Sequence, residues 1–184
     1  MAESARRAEL LESAYRHTLE HGLVGMSLRP LAQAVGSSPR VLLYLFGSKD
    51  GLVRALLERA RADELALLQA VRHERGTLAG AAVSLWRWLA APEHGRLLAL
   101  WIEAYARSLV EPDGPWAGFA ARTVDDWLGL LGDFAADPTD RTLVLAVLRG
   151  ALLDLLATGD RARITPAVER LLRLAPPRSQ VRRT

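Results

Sequence analysis

Apolar side chains recur along this chain every three to four residues, block after block, and nowhere alternate with a period of two. The pattern predicts an all-α protein of nine helices, at 4–21, 28–35, 39–46, 49–75, 78–91, 94–110, 115–136, 139–158 and 166–174. In the first, Leu10, Leu11, Ala14, Tyr15, Thr18 and Leu19 form one apolar stripe, and Gly22 stands where a left-handed terminal residue is wanted. Ser27, Ser38 and Ser48 each precede a helical block as N-caps, with Pro30 and Pro39 inside first turns, where a missing N–H is tolerated. Leu52, Val53, Leu56, Leu57, Ala60, Leu65 and Leu68 give the long fourth helix its apolar face. Pro92, Asp113-Gly114-Pro115, Asp137-Pro138 and Thr165-Pro166 mark the later starts. The helix at 139–158 differs from the rest, because Leu143, Val144, Leu145, Val147, Leu148, Leu152, Leu153, Leu155 and Leu156 leave it almost no polar face.

The stretch 27–49, SLRPLAQAVGSSPRVLLYLFGSK, has the spacing of two short helices crossing at a tight turn. Ala32 is small where the helices meet, Gly36 allows a positive φ at the turn, and Leu42 packs the second helix back on Leu28, Leu31 and Val35. No acidic residue occurs between Glu20 and Asp50, whereas Arg29, Arg40 and Lys49 are cationic. A surface that lies against phosphates should lack carboxylates, which repel a polyanion at close range. In a helix-turn-helix the leading half of the second helix enters the major groove, here Ser37, Ser38, Pro39, Arg40 and Val41. Arg40 can bond bidentately to guanine or else contact a phosphate. Val41 can meet a thymine methyl, Tyr44 can give its hydroxyl to a phosphate, and Lys49 can reach the backbone beside the start of the next helix.

Residues 7–60, and above all AQAVGSSPRVLLYLFGSKDGLVRAL with Phe46, Ser48, Lys49 and Asp50 followed by an apolar run, resemble the DNA-binding domain of the tetracycline-repressor (TetR/AcrR) family. The resemblance implies a TetR-like all-helical homodimer that binds a palindromic operator in double-stranded DNA at one end. It also implies that the larger C-terminal domain dimerises and takes up an inducer. Carried over by position, Ser27, Arg29, Ser38, Arg40, Val41, Tyr44 and Lys49 fall where the family contacts DNA. Ser37 stands where the family usually has valine, Leu43 where it has an aromatic, Leu45 where it often has histidine, and Arg40 where it often has glycine. The fold implied is the same, while a contact is lost in one place and gained beside it.

Composition adds bounds. At 184 residues, half of them hydrophobic, the chain can bury a sizeable core as one domain or as a small module joined to a larger one. Lys49 is the only lysine among 24 basic residues, a bias that a GC-rich genome explains, although it does not explain the acid-free window. Without cysteine there is no disulfide and no thiolate metal site. No signal peptide is read at the start, and LVLAVL at 143–148 stops at Arg149, short of the ~18 residues a membrane span requires. A cytoplasmic protein with no membrane partner is expected. The division expected is a DNA-binding domain at 1–48, a linking helix at 49–75, an effector and dimerisation domain at 76–175 and a basic, mobile tail at 176–184.

All five tryptophans lie in the C-terminal part. Trp86, Trp101, Trp116 and Trp127 with Tyr105 and Phe119 are candidates to line a pocket for a flat or apolar effector, and Glu103 and Arg107, with His94, are its polar candidates. For any single ring core filling is the plainer reading, while the group as a whole is read as a pocket mainly because the family resemblance implies one. A helix apolar all round must be covered, and the same helix of a second copy is the cheapest cover. Leu145, Leu148, Leu152, Leu155 and Leu156, with Leu171 and Leu172 of the last helix, are the candidate dimer residues, and Gly150 and Ala151 allow close approach. His17 and His21 have a zinc-compatible spacing with Glu20 beside them, but an exposed pair on a helix is the plainer reading. There is no G-x-S-x-G, no phosphate-cradling glycine loop and no paired nucleophile and base, so no enzyme, metal or cofactor is expected. The leading expectation is a dimeric repressor released from its operator by a small apolar or aromatic effector. The alternatives are a DNA-binding dimer without an effector, and a helical carrier of apolar ligands without DNA binding.

Overall fold

A computed structural model describes residues 2–72 and 76–174. Among them are α1 (Ala2–His21), α2 (Leu28–Ala34), α3 (Pro39–Phe46), α4 (Lys49–Arg72), α5 (Leu78–Leu89), a 3-10 turn (Pro92–His94), α6 (Gly95–Val110), α7 (Phe119–Gly132), α8 (Pro138–Thr158) and α9 (Arg161–Leu174). The described residues contain no strand, in line with the all-α, nine-helix expectation. The last expected turn of the fourth helix, with His73, and the basic tail at 176–184 lie outside the described residues.

Two helices correct the sequence reading at their boundaries. α7 begins at Phe119, not at 115, and ends at Gly132, not at 136. Residues 115–118 form turns, with the Phe119 amide donating to the Trp116 carbonyl at 3.0 Å, and Gly118 at φ +69° leaves the helical path. α9 begins at Arg161 and not at Pro166. Gly159, left-handed at φ 68°, ends α8, and Asp160 then starts the next helix by accepting the Arg163 amide at 3.0 Å. Pro166 therefore lies inside α9, where it withholds one backbone donor.

The described residues fall into two compact units, one within Met1–Leu67 and Arg96–Val124, the other within Leu68–Gly95 and Asp125–Thr184. In the first unit Leu10, Ala14, Tyr15 and Thr18 of α1 are buried, as the apolar stripe predicts, together with Leu52, Val53, Leu56, Leu57 and Ala60 of α4. A polar network also joins these two helices. Arg59 donates to Glu12 at 2.8 Å and to Asp63, and its guanidinium lies 4.7 Å from the centre of the Tyr15 ring. Tyr15 donates its hydroxyl to Asp63 at 2.7 Å. Burial, then that hydrogen bond and the nearby negative charge, push the Tyr15 phenol above its ordinary value near 10. The fold thus favours the neutral phenol, and its contribution to stability is complete below pH 10 and lost as the pH rises beyond it. Tyr15→Phe is expected to cost about 1 kcal/mol at pH 7. It should also flatten the decline above pH 10, which urea unfolding across a pH series measures directly.

In the second unit α5, α8 and α9 pack on one another. Trp86, fully buried on α5, donates its indole N–H to Thr165 of α9 at 3.2 Å. Asp154 of α8 receives a two-pronged bond from Arg163 of α9 at 2.7 and 2.9 Å, which fixes the corner between those helices.

Candidate nucleic-acid interface

The turn between α2 and α3 has a specific hydrogen-bond signature. Past the C-cap Val35, Gly36 is left-handed at φ 64°. The Ser37 amide donates to the Ala32 carbonyl at 2.8 Å and the Gly36 amide to Gln33 at 3.2 Å, the paired bonds of a Schellman ending. The chain then turns directly into Ser38, whose hydroxyl accepts the Val41 amide at 3.3 Å and caps α3, with Pro39 in the first turn. Gly47, at φ 79°, closes α3, and the Ser48 hydroxyl accepts the Gly51 amide at 2.9 Å to start α4. Ser27 occupies the N-cap position of α2 with an extended backbone, but its hydroxyl makes no capping bond.

This frame divides α3 into two faces. Leu42 and Phe46 are buried, as are Leu31 and Ala32 of α2, the helix on which α3 packs. Arg40, Val41 and Tyr44 project from the opposite side, Tyr44 with 73% of its surface exposed. Ser27, Arg29, Ser38 and Lys49 are also exposed, while Ser37 and Pro39 are half-buried. Leu43 is exposed and Leu45 half-buried, so the first of these two departures lies on the surface. Sequence reasoning missed Arg7. Its guanidinium lies 4.9 Å from the Phe46 ring centre and its Nε donates to the Leu45 carbonyl at 3.3 Å, so α1 caps the end of α3. That is a favourable place for a cation, at the negative end of the helix dipole. The only local hint was one arginine beside another in a helix, with nothing to say which of them turns inward.

The chain from Leu28 to Phe46 is therefore a helix-turn-helix with an outward ridge free of acid. A relative from Corynebacterium diphtheriae, the HTH-type transcriptional repressor AcnR, is 30% identical over 183 residues, covering 93% of this chain and 90% of its own length. The chain belongs to the TetR family of transcriptional regulators. A second relative, the HTH-type transcriptional regulator BetI of Burkholderia lata, is 36% identical over 70 residues, 38% of this chain and 34% of its own length. The fold is that of solved TetR-family proteins. The multidrug-binding protein EbrR in complex with imidazole superposes with a TM-score of 0.72 at 25% identity, over 92% of this chain and 88% of its own. A TetR-family regulator from Rhodococcus sp. gives a TM-score of 0.68 at 21% identity, over 91% and 95%. No protein-family model matches the chain. No helix among the described residues is long and apolar enough to cross a membrane.

The other candidates of this TetR-family chain fall as follows. Trp101, Glu103, Tyr105, Arg107, Trp116 and Phe119 belong to the first unit, Trp86 and Trp127 to the second. Trp86, Trp101, Trp116, Phe119 and Trp127 are buried and Tyr105 half-buried. Arg107 of α6 pairs with Glu111, just past the end of that helix, and His94 stacks on Trp88 at 3.8 Å between ring centres. Glu103 directs its carboxylate to the backbone between α1 and α2. Glu64 of α4 is fully buried although its neighbours read as a helix side facing solvent. An acid in an amphipathic helix is assigned outward by default, so nothing local marked it. His17 and His21 stack on each other at 4.1 Å, and no group of three possible metal ligands occurs among the described residues.

On α8 and α9, Leu145, Leu148, Leu152 and Leu172 are buried within the single chain, Leu155 is half-buried, and Leu156 and Leu171 are exposed. A stripe of small and apolar residues, Leu143, Ala146, Gly150, Leu153 and Ala157, is exposed along α8 at helical spacing. Leu143 and Leu153 leave about half of their surface uncovered.

Proposed function

We propose that the chain acts as a cytoplasmic homodimer that binds a palindromic operator in double-stranded DNA through α3. A flat aromatic effector taken up by the C-terminal part releases it. Residues 1–48 are the DNA-reading part, 49–75 the link, and 76–175 the effector-binding and dimerising part. The observation that carries this reading is the ridge of Arg40, Val41 and Tyr44, exposed within a stretch of sequence without carboxylates and backed by buried Leu42 and Phe46. Arg40 reads a guanine edge, Val41 a thymine methyl, and Ser27, Arg29, Ser37, Ser38, Tyr44 and Lys49 hold the phosphates around them, with Pro39 fixing the first turn.

The α8 stripe supports the dimer. An uncovered apolar face on an otherwise packed helix invites a second copy across a two-fold axis, and a dimer presents two recognition helices to successive major grooves. Trp101, Tyr105, Trp116 and Phe119, with Arg107, support an aromatic effector, as does the complex of the relative EbrR with proflavin at 25% identity. Effector and DNA are then coupled through their preference for different conformations of one molecule. No catalytic residue, metal or cofactor is assigned.

Selection of bound duplexes from a random pool tests the reading. The enriched sites are expected to be inverted repeats with half-sites about one helical turn apart, bound less tightly as salt is raised. Proflavin is expected to bind the chain with a change in its fluorescence and to weaken the selected site's affinity. A pool that yields no repeat overturns the operator. Proflavin binding that leaves the DNA affinity unchanged overturns release by a ligand of this kind.

A further inference from the structure

The α1–α2 connection is held by a side chain from far along the sequence. The Leu23 amide donates to Glu103 Oε1 at 3.0 Å and to Oε2 at 3.2 Å, and the Val24 amide donates to the same Oε1. Gly22, at φ +76°, makes room for this carboxylate, since a Cβ there would lie 3.1 Å from Oε2. Successive amides behind a left-handed residue form a nest for an anion. General electrostatics do not explain the arrangement, because the end of α1 carries the negative pole of its dipole and repels a carboxylate. The bonds to the two amides overcome a field of the wrong sign. A second tie lies nearby, where Arg96 in the first turn of α6 approaches Glu20 of α1 at 3.4 Å. Both contacts are internal to the first unit.

The tethered loop runs straight to Ser27 and α2, against which α3 packs. On the other side of the bond, α6 carries Trp101 and Tyr105, two of the aromatics proposed for the effector. We propose that Glu103 is a positioning residue for DNA binding, through which α6 holds the α1–α2 loop, and hence the helix-turn-helix, in the pose that seats α3 in the groove. This rests on the reading of α3 given above. A displacement of α6 reaches the DNA-reading part through one carboxylate, and an arrangement that opposes the α1 dipole is well suited to release.

The test uses the full chain with Glu103→Ala and Glu103→Gln. In Glu103→Ala the Leu23 and Val24 amides should exchange hydrogen at least about tenfold faster. Affinity for the selected operator should fall about tenfold, equivalent to about 1.4 kcal/mol. Affinity for unrelated DNA, set by phosphates, should stay unchanged, which a general loss of folding would not allow. Glu103→Gln keeps an acceptor oxygen for both amides and should recover most of the affinity. If Glu103→Ala does not fold, the near-isosteric Glu103→Gln carries the test through a smaller loss in the same two readouts. Gly22→Ala, which crowds the carboxylate from the loop side, should mimic Glu103→Ala. Wild-type operator affinity in both Glu103 variants, with the two amides deprotected in Glu103→Ala, overturns the role given to Glu103 and leaves the reading of α3 standing. A wild-type chain that selects no operator overturns both.

Discussion

Arg40→Ala is expected to weaken operator binding and relax specificity at one position of each half-site while leaving the protein folded. Arg40 sits in the first turn of α3, exposed, and makes no hydrogen bond or ion pair among the described residues, so its loss disturbs nothing inside the chain. A bidentate contact from a guanidinium to guanine is worth about 1–3 kcal/mol of discrimination. In a two-fold complex the loss is incurred at both half-sites, so operator affinity should fall by about 1.5 to 4 powers of ten, on the order of 2–6 kcal/mol in all. Fluorescence anisotropy against the selected site and against its single-base variants measures this. The two roles for Arg40 separate in that experiment. A base-reading arginine, once removed, relaxes specificity at one position of each half-site. A phosphate-binding arginine, once removed, weakens all duplexes alike and lowers the salt slope by about one per half-site. Unchanged affinity and specificity for the variant would remove α3 as the reading element.

Gly150→Arg is expected to convert the proposed dimer into a folded monomer. Gly150 lies in the exposed stripe of α8, and a Cβ placed on it meets nothing within 4 Å in the single chain. Glycine inside a helix costs roughly 0.5–1 kcal/mol relative to alanine. That cost gains nothing in the isolated chain and is repaid when another backbone approaches closely. Arginine at this position should therefore leave the monomer's stability equal or slightly higher, while a two-fold interface takes the bulk and charge twice. Sedimentation velocity is expected to show the loss of the dimer. Operator affinity should fall by at least 10²-fold, because two half-sites are no longer bound through one molecule. A Gly150→Arg protein that still sediments as a dimer would place the interface elsewhere.

The helix-turn-helix was legible because its determinants are local. Ala32, Gly36, Ser38 and Leu42 lie within eleven positions of one another, and each has a stereochemical task that only a few residue types perform. The exposed ridge of α3 follows from the same pattern once Leu42 is turned inward. The start of α9 was misread for the opposite reason. Thr165-Pro166 is a strong punctuation mark, and it outweighed Gly159-Asp160, the pair at which the chain in fact turns. Arg7 and Glu103 were not legible as they stand, because what fixes each is an element far away in sequence: the end of α3 for Arg7, the loop before α2 for Glu103. On α8 the sequence showed apolar residues on every side, and only the packing of α5 and α9 reveals which stripe is left uncovered. Of the candidate dimer residues, the ones left exposed are few, and neighbours such as Leu143 and Leu153 take their place on the outer face.

The ridge of α3 has little stake in the protein that displays it. Stability resides on the inner face, in the Schellman turn and in the Arg7 cap, whereas Arg40 and Tyr44 face solvent. Retargeting such a reader therefore requires no repacking. An altered vocabulary at two or three outward positions can be tried on an unchanged scaffold, which is how one architecture comes to serve many different addresses in a genome.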